Sequence, residues 1–387
     1  MTEVVIVGGG IAGLWLLSQL KQQGYDAHLL EAHALGAGQT ILSQGIIHGG
    51  TKYLVKQALT SLAKHIKTMP TVWQACLTGS GEVDLQHVCV LATHQHLWIP
   101  PQLGSQFVGF LASAAMQSRV TKLKRDAFPL IFQTPDFHGQ VYSLNEPVLD
   151  VYSLLQTLRE QYKDSLIKID LENTQFIFKQ EKLEKIITAG TEIQARQYIF
   201  TAGAHNAAYA KQFQLDTIKT QRRPLRMLLL KSLPYPLYAH CVDRHFKPRL
   251  TITSYPTTNG YAWYMGGEIA EKGAKMTEEE TYHYGLRELK QLFPWLALDK
   301  LNWKTCYIDR AEPWQPEGKI PPLPSFTAQH NCLFAWPVKL AYAPLLAKEI
   351  LTYLQTKQVL PRAQTTAFAL PKPAVALPPW QEETGWN

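Results

Sequence analysis

The first thirty residues follow a regular order of apolar run, glycine-rich turn, helical spacing and second apolar run. Residues 4–7 are uninterrupted apolar side chains, which favours a strand buried on both faces of a parallel sheet. Leucines then recur at helical spacing over residues 14–23, and Gly24 is suited to end that helix. A second apolar run, residues 27–30, leads into Glu31. This order predicts a strand–helix–strand unit at the start of the chain.

The period of the apolar positions changes several times along the rest of the chain. Polar and aromatic residues alternate through residues 83–145, which indicates a sheet-rich insertion. Helical spacing recurs over residues 52–78, 149–162, 278–292 and 340–355. Strand-like runs lie at residues 167–169, 197–200, 227–230, 250–253, 263–265 and 332–335. This order predicts that the chain returns to its first sheet after contributing strands to a second one.

This alternation predicts two interleaved domains and a tail. We expect one domain, with a parallel sheet, to consist of residues 1–80, 146–218 and 306–356. The other domain would be a sheet-rich α+β unit made of residues 81–145 and 219–305. Residues 357–387 are rich in proline and predict an extended C-terminal tail.

The composition narrows the class of protein. Of the 387 residues, 46% are hydrophobic, which suffices for a large core, yet no run reaches the ~18 apolar residues that a membrane span needs. The chain begins with a core strand rather than a secretory leader, so we expect a cytoplasmic protein. The five cysteines are scattered without CxxC spacing, which predicts reduced core residues and no metal site.

The charge balance favours anionic partners without identifying one. The formal net charge is +7 and the isoelectric point is about 9.0. The densest basic stretches are residues 122–125 and 222–226. We interpret both as solvated basic surface, with a nucleic-acid site as the alternative.

The motif GxGxxG occupies the turn between the first predicted strand and helix. Its first glycine permits the tight turn, its second lets the backbone approach a pyrophosphate, and its third allows close packing of helix and strand. The phosphates would lie at the N-terminus of the helix, and the carboxylate that ends the second strand would accept hydrogen bonds from ribose hydroxyls. The predicted contacts are Gly8, Gly10, Ile11, Ala12, Gly13 and Glu31. These residues fit the ADP half of FAD and of NAD equally well.

Three later segments resemble the D-amino-acid oxidase/glycerol-3-phosphate dehydrogenase superfamily of FAD-dependent oxidoreductases. They are the glycine-punctuated loop at residues 36–50, the Thr-Ala-Gly-Ala segment at residues 201–204, and residues 310–344. The resemblance implies FAD as cofactor. It also implies an α/β fold in which a discontinuous Rossmann-like FAD-binding domain carries an inserted sheet-rich α+β substrate domain. We expect non-covalent FAD, because covalent attachment in relatives generally uses Cys or His and residues 311–317 lack Cys.

The resemblance also assigns candidate residues around the flavin. The run His-Gly-Gly-Thr-Lys-Tyr-Leu at residues 48–54 most resembles the glycerol-3-phosphate dehydrogenases, although the Ser/Arg-rich segment expected upstream is replaced by residues 39–44. The catalytic candidates are His48, Lys52, Arg310 and Lys339. Further cofactor contacts are expected from Gln39, Thr40, Ser43, Gln44, Gly45, Thr201, Ala202, Gly203, Pro337, Val338, Lys339 and Leu340.

These features predict oxidation of a C–H bond alpha to an amine or hydroxyl by hydride transfer to flavin N5. The positive candidates imply a small anionic substrate: an amino acid, a hydroxy acid or a phosphate ester. One alternative is a tRNA-modifying FAD-dependent amine oxidase, although no RNA-binding module is recognisable. Another is a non-catalytic flavoprotein that senses redox state.

Overall fold

The computed structural model describes residues 1–49, 61–100, 120–242, 248–362 and 365–387 of the chain. Strands and helices are numbered below in chain order. Two large sheets dominate the described residues, one of six strands and one of eight. No helix within these ranges is long and apolar enough to cross a membrane.

The six-stranded sheet contains the N-terminal unit. From edge to edge its strands are β18 (Ser325–Gln329), β19 (Cys332–Trp336), β12 (Ala195–Phe200), β1 (Thr2–Val7), β2 (Ala27–Glu31) and β8 (Leu166–Lys168). Neighbouring strands pair in parallel except β18, which is antiparallel to β19. Every residue of β1 is buried, as a strand covered on both faces requires. The uninterrupted apolar run predicted this central position correctly.

Helices cover this sheet and share its core. They are α1 (Ile11–Gln22), α2 (Ser61–Leu77), α3 (Val151–Tyr162), α4 (Asn206–Gln212) and α7 (Ala343–Thr356). Helix α1 packs against both α3 and α7, and its residues from Ile11 to Leu20 are buried on all sides. The helix predicted over residues 52–78 agrees with α2 from Ser61 onward, while residues 52–60 lie outside the described residues.

The eight-stranded sheet forms the second layer. Its order is β17 (Trp303–Pro313), β13 (Thr220–Leu233), β16 (Gly260–Gly266), β15 (Pro248–Thr257), β14 (Ala239–Val242), β4 (Gln95–Ile99), β6 (Gln140–Leu144) and β5 (Val120–Lys122). Helices α5 (Glu268–Gly273) and α6 (Glu278–Leu292) pack against it. Helix α6 has the predicted bounds because Thr277 and Glu280 form a capping box at its start. Strand β17 carries residues 306–313 within this sheet, and the exact division into domains stays a proposal.

Several features were not predicted. Strands β9 (Thr174–Lys179), β10 (Lys182–Thr188) and β11 (Thr191–Ile193) form a small antiparallel sheet, and β3 (Val90–Ala92) pairs with β7 (Val148–Leu149). The C-terminal tail packs on the folded chain, since Trp380 stacks on the buried ring of Tyr255. Four cysteines are buried, but Cys89 is exposed, so the prediction of a core position is wrong for that residue.

Candidate functional site

The carboxyl ends of β1, β2, β12 and β19 border a cavity of about 360 Å³, here called the nucleotide cleft. Ligands of open parallel sheets bind at this edge, because the loops that follow the strands meet there. The lining includes five of the six predicted ADP contacts, Gly8, Gly10, Ile11, Ala12 and Glu31, but not Gly13. It also includes the predicted cofactor contacts Thr201, Ala202 and Gly203. Gln39, Thr40 and Pro337 line it as well.

The three glycines of the motif meet different constraints. A Cβ added at Gly13 would lie 2.1 Å from the carbonyl oxygen of Gly8, so only glycine lets α1 approach β1 this closely. Gly8 itself has φ +113°, and its Cβ would lie 2.7 Å from the backbone of Ala202. A Cβ at Gly10 would meet only the hydroxyl of Thr40, at 3.2 Å. The space beside Gly10 therefore belongs to the cleft rather than to neighbouring protein atoms.

Glu31 is held in place at the end of β2 by backbone groups. Its Oε2 accepts a hydrogen bond from the N–H of Gly9 at 2.6 Å, and its Oε1 accepts one from the N–H of His33 at 2.6 Å. A carboxylate offers about four acceptor positions, so these two bonds leave room for ribose hydroxyls. The geometry thus orients the carboxylate along the cleft before any ligand arrives.

The loop after β2 supplies polar groups to the same region. The hydroxyl of Thr40 accepts a hydrogen bond from the N–H of Ile11 at 3.1 Å, which fixes the loop against the start of α1. The hydroxyl of Ser43 is buried and has no hydrogen-bond partner among the described residues. A buried hydroxyl without a partner costs free energy unless a ligand satisfies it, so this orphan fits a bound cofactor.

Gln44 connects the loop to the eight-stranded sheet. Its side-chain amide donates to the carbonyl oxygens of Tyr264 at 2.9 Å and Thr251 at 3.2 Å. A Cβ at Gly266 would lie 2.8 Å from its amide oxygen, so the fit is close. We interpret Gln44 as a bridge between the two sheets, and its contact with the cofactor stays a prediction.

A second cavity of about 750 Å³ lies between the two sheets and is here called the inner cavity. It shares Ile11, Gln39, Thr40, Leu42, Ile308 and Pro337 with the nucleotide cleft, so the two are adjacent. The predicted residues that line it are Ser43, Gln44, Gly45, His48, Arg310, Pro337, Val338, Lys339 and Leu340. Three of the four catalytic candidates therefore meet at one cavity. Lys52 lies outside the described residues.

His48 lies in a cluster with Glu146 and His240. Its Nδ1 is 3.4 Å from Oε2 of Glu146, and its ring stacks on that of His240 with centroids 5.5 Å apart and planes 20° from parallel. The potential donor atoms of the three side chains lie within 4.8 Å of one another. Nitrogen lone pairs lie in the ring planes, so stacked rings favour hydrogen bonding over joint coordination of one ion.

Arg223, Arg310 and Lys339 bring positive charge to the inner cavity. The guanidinium of Arg223 forms a two-point ion pair with Glu312, whose side chain is 1% exposed. Arg310 and Lys339 line the same cavity, as do the carboxylates Glu268 and Glu271. Burial away from water lowers the pKa of Lys339 to about 8; the carboxylate of Glu146 opposes this shift, and the nearby arginines reinforce it.

The loop that carries Lys339 is strained. Val338 has φ +61°, a left-handed conformation that a β-branched residue rarely adopts. The N–H of Lys339 donates to the carbonyl oxygen of Pro337 at 2.6 Å, which tightens the turn. Such strain persists only where the surrounding structure enforces it, and it often occurs at ligand sites.

Glu146, His240 and Arg223 are site residues that sequence reasoning missed. Residues 222–226 were noticed as a basic stretch, but their interpretation as solvated surface is wrong for Arg223, which pairs with buried Glu312. No local pattern marks Glu146 or His240. A charged residue directly before an apolar run, as at Glu146, is common in chains of every function.

A parallel sheet with a nucleotide cleft and an adjacent inner cavity is typical of FAD-dependent oxidoreductases, and the chain belongs to that family. The family model described as FAD dependent oxidoreductase matches residues 3–317. FAD is therefore its cofactor, and the prediction of family, fold class and cofactor is confirmed.

The chain is similar in sequence to a probable FAD-dependent oxidoreductase of Pseudomonas aeruginosa, with 39% identity over 98% of this chain and 97% of that protein. The crystal structure of that FAD-dependent oxidoreductase superposes with a TM-score of 0.86 and 36% identity, covering 98% of this chain and 97% of the other.

More distant solved structures share the fold. Iminodiacetate oxidase from Chelativorans sp. BNC1 has a TM-score of 0.65 and 12% identity, covering 96% of this chain and 99% of the other. L-proline dehydrogenase from P. horikoshii has a TM-score of 0.66 and 13% identity, covering 96% of this chain and 95% of the other.

Proposed function

We propose that the protein oxidises a C–H bond alpha to an amine or hydroxyl of a small anionic substrate, by hydride transfer to N5 of FAD. The observation that carries this proposal is the inner cavity, where His48, Arg310 and Lys339 surround a space next to the nucleotide cleft. A titratable imidazole beside two cations suits a substrate that carries an anion and must lose a proton.

The residues present fit FAD, which when bound supplies the two-electron acceptor. The glycine turn and Glu31 would hold the ADP half, and the orphan hydroxyl of Ser43 would meet the cofactor further along. Cys306 is buried, and burial raises the pKa of its thiol to about 12, which makes it a poor nucleophile at neutral pH. This supports non-covalent attachment.

The substrate's anion is assigned to Arg310 and Lys339. Both side chains line the inner cavity, where a carboxylate or phosphate would meet their positive charge. The names of iminodiacetate oxidase and L-proline dehydrogenase point to amines that bear carboxylates, which favours an amino acid. Because those similarities concern the fold alone, the charge of the inner cavity carries the argument.

His48 would accept the proton of the donor's N–H or O–H as the hydride leaves the carbon. A neutral amine or alkoxide-like donor can then expel hydride, because its lone pair supports the developing double bond. Lys52 was predicted to hold the anionic tail of the substrate, and that role stays a proposal. Arg223 and Arg226 form ion pairs with Glu312 and Glu278, which weakens the case for a tRNA substrate.

The test is anaerobic bleaching of the flavin band across amino acids, hydroxy acids, glycerol phosphate and total tRNA. We expect at least one small anionic donor to bleach it. With that donor, His48→Ala should retain FAD and slow flavin reduction by about two to four orders of magnitude in stopped-flow measurements. Lys52→Ala should mainly weaken substrate binding. Failure of every small donor to bleach a photoreducible flavin, or bleaching by tRNA alone, would refute the proposal.

A further inference from the structure

The segment that carries His48 is fastened to residues 146–149 by backbone hydrogen bonds. The N–H of Ile47 donates to the carbonyl oxygen of Pro147 at 2.9 Å, and the N–H of Leu149 donates to that of Gly45 at 2.9 Å. Gly45 adopts φ +66°, and a Cβ there would lie 2.1 Å from the carbonyl oxygen of Leu149. This short ladder fixes the position of His48 relative to Glu146.

Glu146 uses its two oxygens differently. Oε1 accepts a hydrogen bond from the N–H of Gly49 at 2.7 Å, and Oε2 faces Nδ1 of His48 at 3.4 Å. The side chain of Glu146 is 6% exposed, whereas that of His48 is 27% exposed and lines the inner cavity. A buried carboxylate therefore lies behind a partly exposed imidazole.

We propose that Glu146 is a positioning residue that holds His48 as the tautomer with its proton on Nδ1, so that Nε2 accepts the substrate proton. This inference rests on the proposed function and deepens it. In each turnover the electron pair and hydrogen of the C–H bond pass to FAD as hydride. The N–H or O–H proton of the substrate passes to Nε2 of His48. The other ring proton stays on Nδ1 and is donated in a hydrogen bond to Glu146.

The charges around the pair support this arrangement. The stacked ring of His240 is itself oriented by the hydroxyl of Thr251, 2.7 Å from its Nδ1. Lys339 interacts electrostatically with Glu146, and also with Arg223, Arg310 and Glu312. Glu146 thus supplies negative charge directly beside His48, which stabilises the imidazolium formed in the reaction.

Kinetics on the holoenzyme provide the first test, with the donor found by bleaching. Glu146→Gln puts an amide N–H opposite Nδ1 and favours the other tautomer. We expect it to slow limiting flavin reduction on the order of 10²-fold and to move the acidic limb of the pH profile to lower pH. Glu146→Asp retains the carboxylate and should recover most of the rate.

A matched control is the buried pair His28 and Asp26, which are 3.1 Å apart and line neither cavity. Asp26→Asn should leave the rate and the pH profile unchanged, even if it lowers thermal stability. If Glu146→Gln had the wild-type rate and profile while His48→Ala was slow, the positioning role would be refuted and the proposed function would stand. If His48→Ala also had the wild-type rate, the base itself would be refuted.

A second test needs no donor. Long-range ¹H–¹⁵N correlation spectra of holoenzyme labelled with ¹⁵N-histidine distinguish the two tautomers at a pH where the ring is neutral. The signal that disappears in His48→Ala is assigned to His48. We expect the Nδ1–H tautomer in the wild type and the Nε2–H tautomer in Glu146→Gln. An Nε2–H tautomer in the wild type overturns the inference. The inference is also overturned if the purified enzyme holds a stoichiometric divalent metal that is lost in both His48→Ala and His240→Ala. In that case the metal would occupy the ring nitrogens.

Discussion

Gly10 and Gly13 belong to the same motif, yet replacing each with alanine should damage different properties. At Gly13 the new Cβ would lie 2.1 Å from the Gly8 carbonyl oxygen, against 3.4 Å for ordinary contact, so α1 must withdraw by about 1.3 Å. Overpacking against rigid backbone costs about 3 kcal/mol or more. At Gly10 the new Cβ would meet only the Thr40 hydroxyl, at 3.2 Å, and a shift of that hydroxyl by a few tenths of an ångström would relieve the close contact.

We therefore expect Gly13→Ala to lower the melting temperature of the FAD-free protein by roughly 4 °C. Gly10→Ala should leave that temperature almost unchanged, because Gly10 has φ −75° and alanine tolerates this conformation. Its methyl group would instead fill the space proposed for the pyrophosphate. The expected loss is about 1.4–2.8 kcal/mol, or about 10- to 100-fold in the Kd for FAD.

Both quantities are accessible with apoprotein. Differential scanning fluorimetry gives the melting temperature, and FAD titration followed by tryptophan fluorescence gives the Kd, since Trp336 lines the nucleotide cleft. A wild-type Kd in Gly10→Ala would refute the placement of the pyrophosphate. An unchanged melting temperature in Gly13→Ala would refute the packing argument.

Three further outcomes are expected. Acid precipitation should leave the yellow colour in the supernatant, because burial raises the pKa of Cys306 to about 12; a yellow pellet would contradict this. The binding of simple carboxylates, followed through changes in the flavin absorption spectrum, should weaken as the pH rises through about 8, because Lys339 loses its charge there. Lys339→Met should abolish this pH dependence of binding. Trp380→Ala should lower the free energy of unfolding by about 3–5 kcal/mol in denaturant titrations, whereas exposed Trp314→Ala should change it by less than about 0.5 kcal/mol.

The parts of the fold that the sequence predicts correctly depend on local signals. The apolar run of β1, the GxGxxG turn and the capping box of α6 each act within a few residues, so no knowledge of distant contacts is needed. Arg310 and Lys339 were assigned through motif resemblance, and the structure brings both to one cavity. Lys52 stays a prediction.

The missed features depend on residues far apart in the chain. Glu146 approaches His48 because the segments around them form a backbone ladder across nearly a hundred intervening residues. Arg223 faces Glu312 because β13 and β17 pair in antiparallel register. Trp380 is buried because the rings of Tyr255 and Tyr264, which lie far away in the chain, pack against it. Register and long-range packing of this kind leave no periodic trace in the sequence.

Strand β1 precedes the other strands of its sheet along the chain but lies inside that sheet, between β2 and β12. Its partner β12 begins roughly 190 residues later. At ~5–20 residues per second, the ribosome needs ~10–40 s to deliver that strand, during which the apolar edge of β1 has no native neighbour on one side. The nucleotide cleft is bordered by β19 as well, so FAD can be captured only late in synthesis. Supply of cofactor and of folding assistance should therefore limit yield more than the rate of translation does.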